Sequence, residues 1–339
     1  HAGAKAGSQQ ETADAKNAAL KKAGAIVPNS FDDFGKKIAQ AYNKLKKQGK
    51  TKDIPDTEPP KMPMDLSKAL KEGLVRKPTH FTCTISNDTG EEPTYIGVPM
   101  SQIFKQKCEI GDVIGMLWFK KRLPKYATKY FEMILILTAD HGPAVAGAHN
   151  AIVTARAGRD VIDALASGLL TVGPRFGGAV AGAAKCFKEA YESGMPPEEF
   201  VKTMKAKGIR IPGIGHRIKS VNNPDMRVEI LKKYAKKNFK KTPILDYALK
   251  VEKITTAKRD NLILNVDGCI GITLVDLFST CGKFTKEEVD SILEMGGLNA
   301  FFAMGRSIGM IGHALDQYRL KSPMHRHQWD DILFLCKKG

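Results

Sequence analysis

The chain has 339 residues, 42% hydrophobic and 26% charged, the balance of a globular protein large enough for one big domain or two ordinary ones. No apolar run reaches the ~20 residues of a membrane span and the opening residues lack the apolar core of a signal peptide, which excludes a helical membrane protein and argues against secretion. The net charge of +17, from 53 Lys and Arg against 36 Asp and Glu, favours partners rich in phosphate or carboxylate, although the scarcity of aromatics (7%) counts against a single-strand nucleic-acid binder.

The first 48 residues read as a small helical unit. Ser30 to Asp33 has the pattern of a capping box, and Phe31, Phe34, Ile38, Tyr42 and Leu45 follow at helical spacing. Residues 49–65 carry Pro55, Pro59, Pro60 and Pro63, which forbid a regular helix and predict an extended linker. A domain boundary is expected there, with the second domain over 66–339. Residues 80–97 predict a β-hairpin turning at Asp88-Thr89-Gly90. Helices are then predicted over 126–138, 150–170, 177–193, 197–207, 225–238, 243–256, 268–281, 285–295 and 299–320. Pro196 and Pro197 suit a first turn, while Gly194 and Gly208 suit helix ends. No βα alternation is present, so the second domain is mainly α.

The six cysteines, at 83, 108, 186, 269, 281 and 336, make no C-x-x-C and no tight Cys/His cluster in sequence. They predict thiols of a reducing, cytoplasmic compartment and no metal site.

Four polar features interrupt this apolar pattern. Asp140-His141-Gly142-Pro143 ends a very apolar helix, where a structural histidine fits as well as a functional one. Gly213-Ile214-Gly215-His216 places two glycines around one apolar residue; it reads either as a plain loop or as a backbone cradle for anions. Asp267 lies between two apolar runs, where burial would raise its pKa, yet Asp is also a favoured helix cap. Arg306 stands mid-helix among Phe301, Phe302, Ile308 and Met310 and needs an anionic partner, because an unpaired buried charge is very costly. With Arg227 and Arg326 it could hold a multi-carboxylate ligand; ordinary salt bridging is the alternative.

In this order, Asp140-His141, Pro212-Gly213-Ile214-Gly215-His216, Asn265-Val266-Asp267 and Gly305-Arg306-Ser307-Ile308-Gly309 resemble the motifs of the citrate synthase family. The phrases TADHGPAVAGAHN, GIGHRIKSVNNPDMR and RHQWDDI are closer still to the C-terminal module of the ATP-citrate lyase family. Pro174-Arg175-Phe176-Gly177-Gly178 and Gly268-Cys269-Ile270-Gly271 depart from ordinary citrate synthases in the same direction. The opening HAGAKAG and ETADAKNAALKKAGAIVPNSFDDF resemble the end of a succinyl-CoA synthetase α-type module. In that family the matching histidine is phosphorylated. Here it is His1, which is expected to be a relic of where the chain is cut, with no phosphoryl chemistry in this fragment; a start without Met is what a piece of a longer chain would show.

The resemblance implies an all-helical citrate synthase-like fold and citryl-CoA lyase chemistry: citryl-CoA is cleaved to acetyl-CoA and oxaloacetate. It implies His141, His216 and Asp267 as catalytic residues, and Arg227, Arg306 and Arg326 as the carboxylate clamp. Arg326 would come from a neighbouring subunit of a homodimer or tetramer. Coenzyme A is the implied substrate carrier, near Gly213, Ile214 and Gly215, with Lys219 and Lys258 on its phosphates. No metal is implied; ATP and Mg belong to the ligase module of the whole enzyme. Nucleic acid and membrane are not expected partners. Forward citrate synthesis and an inactive oligomerisation core are the rival readings.

Overall fold

The computed structural model describes residues 7–52, 54–58, 64–75, 81–173 and 179–335. The expectations that rest on His1, on Pro59, Pro60 and Pro63, on residues 174–178 and on Cys336 lie outside the described residues. The chain divides into two compact units, one up to residue 80 and one from residue 81.

The first unit holds α1 (Ala13–Lys22), α2 (Phe31–Lys47) and α3 (Leu66–Lys71). The Ser30 hydroxyl caps α2 by accepting the Asp33 N–H, as its spacing predicts. The Asp33 carboxylate takes the N–H of Asn29 rather than that of Ser30, so the expected box is only half made.

In the second unit the expected hairpin is a three-stranded antiparallel sheet of very short strands: β1 (Ser86–Asn87), β2 (Thr94–Tyr95) and β3 (Val98–Pro99). The third strand follows a tight turn in which Ile96 and Gly97 both have positive φ. Among the described residues twelve α-helices follow: α4 (Met100–Lys105), α5 (Ile110–Phe119), α6 (Lys125–Thr138), α7 (Ala146–Arg156), α8 (Val161–Leu169), α9 (Ala179–Glu192), α10 (Pro197–Ala206), α11 (Met226–Asn238), α12 (Pro243–Thr256), α13 (Val266–Thr280), α14 (Lys286–Glu294) and α15 (Asn299–Arg319). The helix predicted over 150–170 is two helices. Gly158 turns with φ +85°, and Asp160 restarts the chain by accepting the N–H groups of Ile162 and Asp163. Among the described residues no helix is long and apolar enough to cross a membrane.

Helix α13 is the axis of the core, with every residue from Gly268 to Phe278 buried and α9, α11, α12 and α14 packed around it. Gly271 makes the closest approach: a Cβ there would stand 2.3 Å from the Val180 carbonyl oxygen of α9. The carboxylate of Asp276, fully buried, accepts the N–H groups of Ile244 and Leu245 at 3.0 and 2.9 Å. It thereby caps α12 from another helix, where Thr242 offers no side-chain cap of its own and the amide donors would otherwise be buried unpaired.

Helix α15 crosses α6, α7 and α8. Gly305 lies against Thr138 and the Leu135 carbonyl, and Gly309 against the Ala139 carbonyl, which also accepts the Gly309 N–H at 3.0 Å. Any larger residue at either glycine would lift α15 from the end of α6, where the Asp140-His141 break begins.

Candidate active site

A cavity of about 420 Å³ opens where the loop after α6, the loop before α11, the start of α13 and the middle of α15 converge. His141, His216, Arg227, Asp267, Arg306 and Phe302 line it. Five side chains singled out from separate motifs thus share one space.

His141 is placed by its neighbour. Asp140 Oδ2 accepts the Gly142 N–H at 3.0 Å, and Oδ1 lies 2.9 Å from Nε2 of His313 on α15. The loop is therefore tied both to itself, at a Gly142 with φ +83°, and to the helix that carries Arg306. The His141 side chain is exposed at the mouth. Partial burial and then the charges of Arg227 and Arg306 hold its pKa below the usual histidine value, which keeps the ring neutral at neutral pH.

The His216 loop is laced to the strand-like segment before α13. Gly215 N–H donates to the Ile263 carbonyl at 2.7 Å, His216 N–H to Asn261 at 2.9 Å, Asn265 N–H to Gly213 at 2.9 Å, and Ile214 N–H to Ile211 at 3.2 Å. The backbone cradle for anions is therefore not what this loop forms: the amides of 214, 215 and 216 are already engaged. The glycines serve close packing. Gly213, at φ +82°, faces Gly268, and a Cβ on it would stand 2.6 Å from the Gly268 Cα. His216 Nδ1 accepts the N–H groups of Ile218 and Lys219 at 3.0 and 2.8 Å. A neutral ring so held carries its proton on Nε2. Burial, opposed by Asp225, lowers its pKa.

Asn265, not Asp267, is the cap of α13; its Oδ1 accepts the Gly268 N–H at 3.0 Å. The helix-cap reading of Asp267 falls, and the carboxylate is free for another task. It sits in the first turn with Oδ1 buried and without a hydrogen-bond partner among the described residues. Burial raises its pKa above the ordinary aspartate range, against the opposing pull of Arg227 and Arg306.

Arg227 is held by a two-pronged pair with Asp225, Nε to Oδ1 at 3.0 Å and Nη2 to Oδ2 at 2.7 Å. Asp225 also caps α11, so the helix start and the arginine are set by one carboxylate. Arg306 is 1% exposed. Its Nε donates to the Thr138 carbonyl at 2.9 Å, and its guanidinium lies over the Phe302 ring at 4.7 Å. Arg326 is exposed on the tail after α15 and is not among the residues lining the cavity.

A second cavity of about 580 Å³ shares Gly215, His216 and Arg217 with the first. Ile214 and Lys258 line it, as expected of a coenzyme A pocket, but Gly213 and Lys219 do not; the Lys219 ammonium donates to Asn223 Oδ1 at 3.1 Å. The cations that do line it include Lys205, Arg210, Arg217 and Arg259, which sequence reasoning missed. The basic run KAKGIRIPGIGHR, residues 205–217, was the available signal. His313 was also missed, since nothing local marks it.

Away from both cavities, His149, His325 and His327 come together, a grouping that their sequence spacing does not predict.

Residues 118–328 match the family model described as the C-terminal domain of citrate synthase. The chain is 54% identical over 334 residues to ATP-citrate synthase beta chain protein 1 of Arabidopsis thaliana, covering 98% of this chain and 55% of that one. Among solved structures it is similar to ATP citrate lyase from Methanothrix soehngenii in complex with citrate and coenzyme A. It is equally similar to a mutant ATP citrate lyase of Methanosaeta concilii in complex with (3S)-citryl-CoA. Each matches with TM-score 0.77 and 56% identity, over 100% of this chain and 55% of that one. The chain thus spans about half the length of these relatives.

Proposed function

The chain belongs to the citrate synthase family, and we propose that it is the citryl-CoA lyase part of an ATP-citrate lyase. Its reaction on this reading is the cleavage of citryl-CoA to acetyl-CoA and oxaloacetate. The observation that carries the reading is the single cavity holding two histidines with lowered pKa, a carboxyl with raised pKa and two anchored arginines. The relatives whose solved structures hold citrate, coenzyme A and citryl-CoA support the substrate class.

Cleavage requires the citryl hydroxyl to become a ketone while the acetyl carbon leaves as an enol or enolate. His216 faces the hydroxyl oxygen; its Nε2, which already carries the ring proton, donates to that oxygen and holds it while the hydroxyl proton passes to solvent and the group becomes the ketone. The two amide N–H groups on Nδ1 draw electron density from the ring and make Nε2–H a stronger donor; the proton that Asp267 gives up in the next step is regained from solvent. His141, neutral, donates to the thioester oxygen as negative charge gathers there. Asp267 then delivers a proton to the terminal carbon. A carboxyl desolvated at the start of α13 holds that proton to a higher pH than a solvated one. Arg227 and Arg306 bind the carboxylates with forks already set by Asp225 and Thr138.

Coenzyme A lies in the adjoining cavity, its phosphates among Arg210, Arg217, Lys258 and Arg259 and its thioester end toward the shared Gly215–Arg217 segment. The site is completed in a homo-oligomer by Arg326 of another subunit. The ligase chemistry, with its ATP and magnesium, belongs to the rest of such an enzyme.

The test is to mix the purified chain with (3S)-citryl-CoA and follow oxaloacetate through a coupled malate dehydrogenase. Release of oxaloacetate is expected. A chain that condenses acetyl-CoA with oxaloacetate but leaves citryl-CoA untouched would be a forward synthase, and one inert in both directions an assembly core.

A further inference from the structure

Three histidines from distant parts of the sequence meet beside α7. His149 stands on α7 itself, and His325 and His327 on the tail after α15. Their ring centroids are 5.4 Å (149 to 325), 6.2 Å (149 to 327) and 5.2 Å (325 to 327) apart. One ring nitrogen from each lies within 4.8 Å of the other two. His325 Nε2 is buried with no hydrogen-bond partner among the described residues. A buried imidazole nitrogen without a partner is costly to keep in a fold. The tail is drawn to the same helix by a second bond, Arg156 Nε donating to the Pro323 carbonyl at 2.6 Å.

We infer that His149, His325 and His327 form a three-imidazole site for a divalent late first-row transition ion such as zinc, which clasps the C-terminal tail to α7. Neutral imidazoles suit zinc, cobalt, nickel and copper, whereas magnesium and calcium require oxygen ligands. Zinc–nitrogen bonds of about 2.0–2.1 Å in tetrahedral geometry put ligand nitrogens about 3.3 Å apart. The present spacing needs only side-chain rotation and a small shift of a tail that has no regular structure between Ser322 and Gln328. Three protein ligands leave the fourth position to water. The positive charge of Arg156 beside His325 opposes the ion, so binding weaker than at closed four-ligand sites is expected. Arg326 lies between two of the ligands, so the ion fixes where that arginine is held. The site would exist whatever reaction the cavity performs.

The experiment uses the full chain, stripped with chelator and titrated calorimetrically with zinc chloride, alongside His149→Ala and His327→Ala. His327 is exposed, so its replacement leaves the fold intact even if that of His149 does not. One zinc per chain is expected, bound roughly tenfold or more weakly in each variant. Cobalt chloride should give visible d–d bands without a sulfur-to-cobalt charge-transfer band, because no thiol takes part. Zinc should also slow tryptic cleavage after Lys321 and Arg326 in the parent chain and not in His327→Ala. Unchanged affinity in the His327→Ala chain, or a thiolate band, would place the ion on cysteines elsewhere and overturn the site. Cleavage indifferent to zinc would overturn the clasp.

Discussion

Nε2 of His313 lies 2.9 Å from Oδ1 of Asp140, so the residue preceding His141 is moored to the helix that carries Arg306. His313 lines neither cavity; it acts on the site only by positioning. His313→Ala should lower turnover of citryl-CoA by up to about a hundredfold, the scale of a slight misplacement of a reacting group, with little change in KM. His313→Gln, which restores a donor near Nε2, should recover much of that loss. Equal kinetics in the parent and the Ala variant would show that Gly142 alone holds the loop.

The buried carboxyl should be the most sensitive single atom group. Asp267→Asn is expected to reduce turnover by about 10²- to 10⁴-fold with an unchanged circular dichroism spectrum, since Asn265 makes the helix cap. In the parent, the raised pKa of Asp267 keeps the proton-donating form to higher pH than an ordinary aspartate would. Cleavage should fall on the alkaline side of that pKa, and the variant should lack this limb. A folded Asp267→Asn protein of normal turnover removes Asp267 from the chemistry.

Arg306→Ala should weaken citrate or oxaloacetate binding by roughly 1.5–3 kcal/mol, the worth of a charged hydrogen bond, and coenzyme A binding far less. Calorimetry with each ligand separates the two. Matching losses for both would make the residue a packing element over Phe302 and Thr138.

Asp276 contributes a pH dependence of stability. Burial raises its pKa to about 7, against about 3.9 in an unfolded chain. Across that window the folded state holds a proton that the unfolded state has released. The contribution of this group to stability therefore falls as pH rises from about 4 to 7, by at most about 1.4 kcal/mol per unit, and is level above. Urea unfolding of Asp276→Asn should show a flatter profile between about pH 5 and 7 than the parent. Identical profiles would mean that the Ile244 and Leu245 amides keep the carboxylate charged throughout.

Exposure of Arg326 away from the cavity of its own chain motivates a subunit-mixing test. Arg326→Ala and Asp267→Asn chains, each inactive alone, should regain about a quarter of parental activity after statistical exchange, because one site in each mixed dimer of two-fold symmetry holds both native residues. A mixture as inactive as its parts rules out a role across the interface.

The helices and the main site residues were legible in the sequence because each depends on short-range rules. Apolar spacing and the Gly and Pro boundaries place α6 and α9 to α15 within a few residues. His141, His216, Asp267 and Arg306 stood out as polar groups beside or within apolar runs, each with a structural reading still open, and the resemblance to the citrate synthase family then implied them, with Arg227, as site residues. What was not legible depends on contacts between distant segments. The break at Gly158 was hidden because apolar residues continue on both sides of it. Gly213 and Gly215 fit a plain loop and an anion cradle equally well in sequence; that the carbonyls of 261 and 263 take the loop's amides, and that Gly213 packs on Gly268, depends on a distant segment. The choice between Asn265 and Asp267 as cap is a matter of one residue's backbone angle. His313 and the 149/325/327 grouping are set by helix crossings and the path of the tail, which no local pattern encodes.

The contact of Gly213 with Gly268 has a bearing on how this site could change over time. With a hydrogen as the only side chain on both residues, the His216 loop and the first turn of α13 touch backbone to backbone, and the span between His216 and Asp267 behaves as a gauge of fixed length. Even alanine at either position would wedge that gauge open. Descendants or designed variants that accept a larger ligand must therefore leave this wall alone and change single side chains on the opposite one, such as Phe302, while Gly305 and Gly309 keep α15 seated on α6.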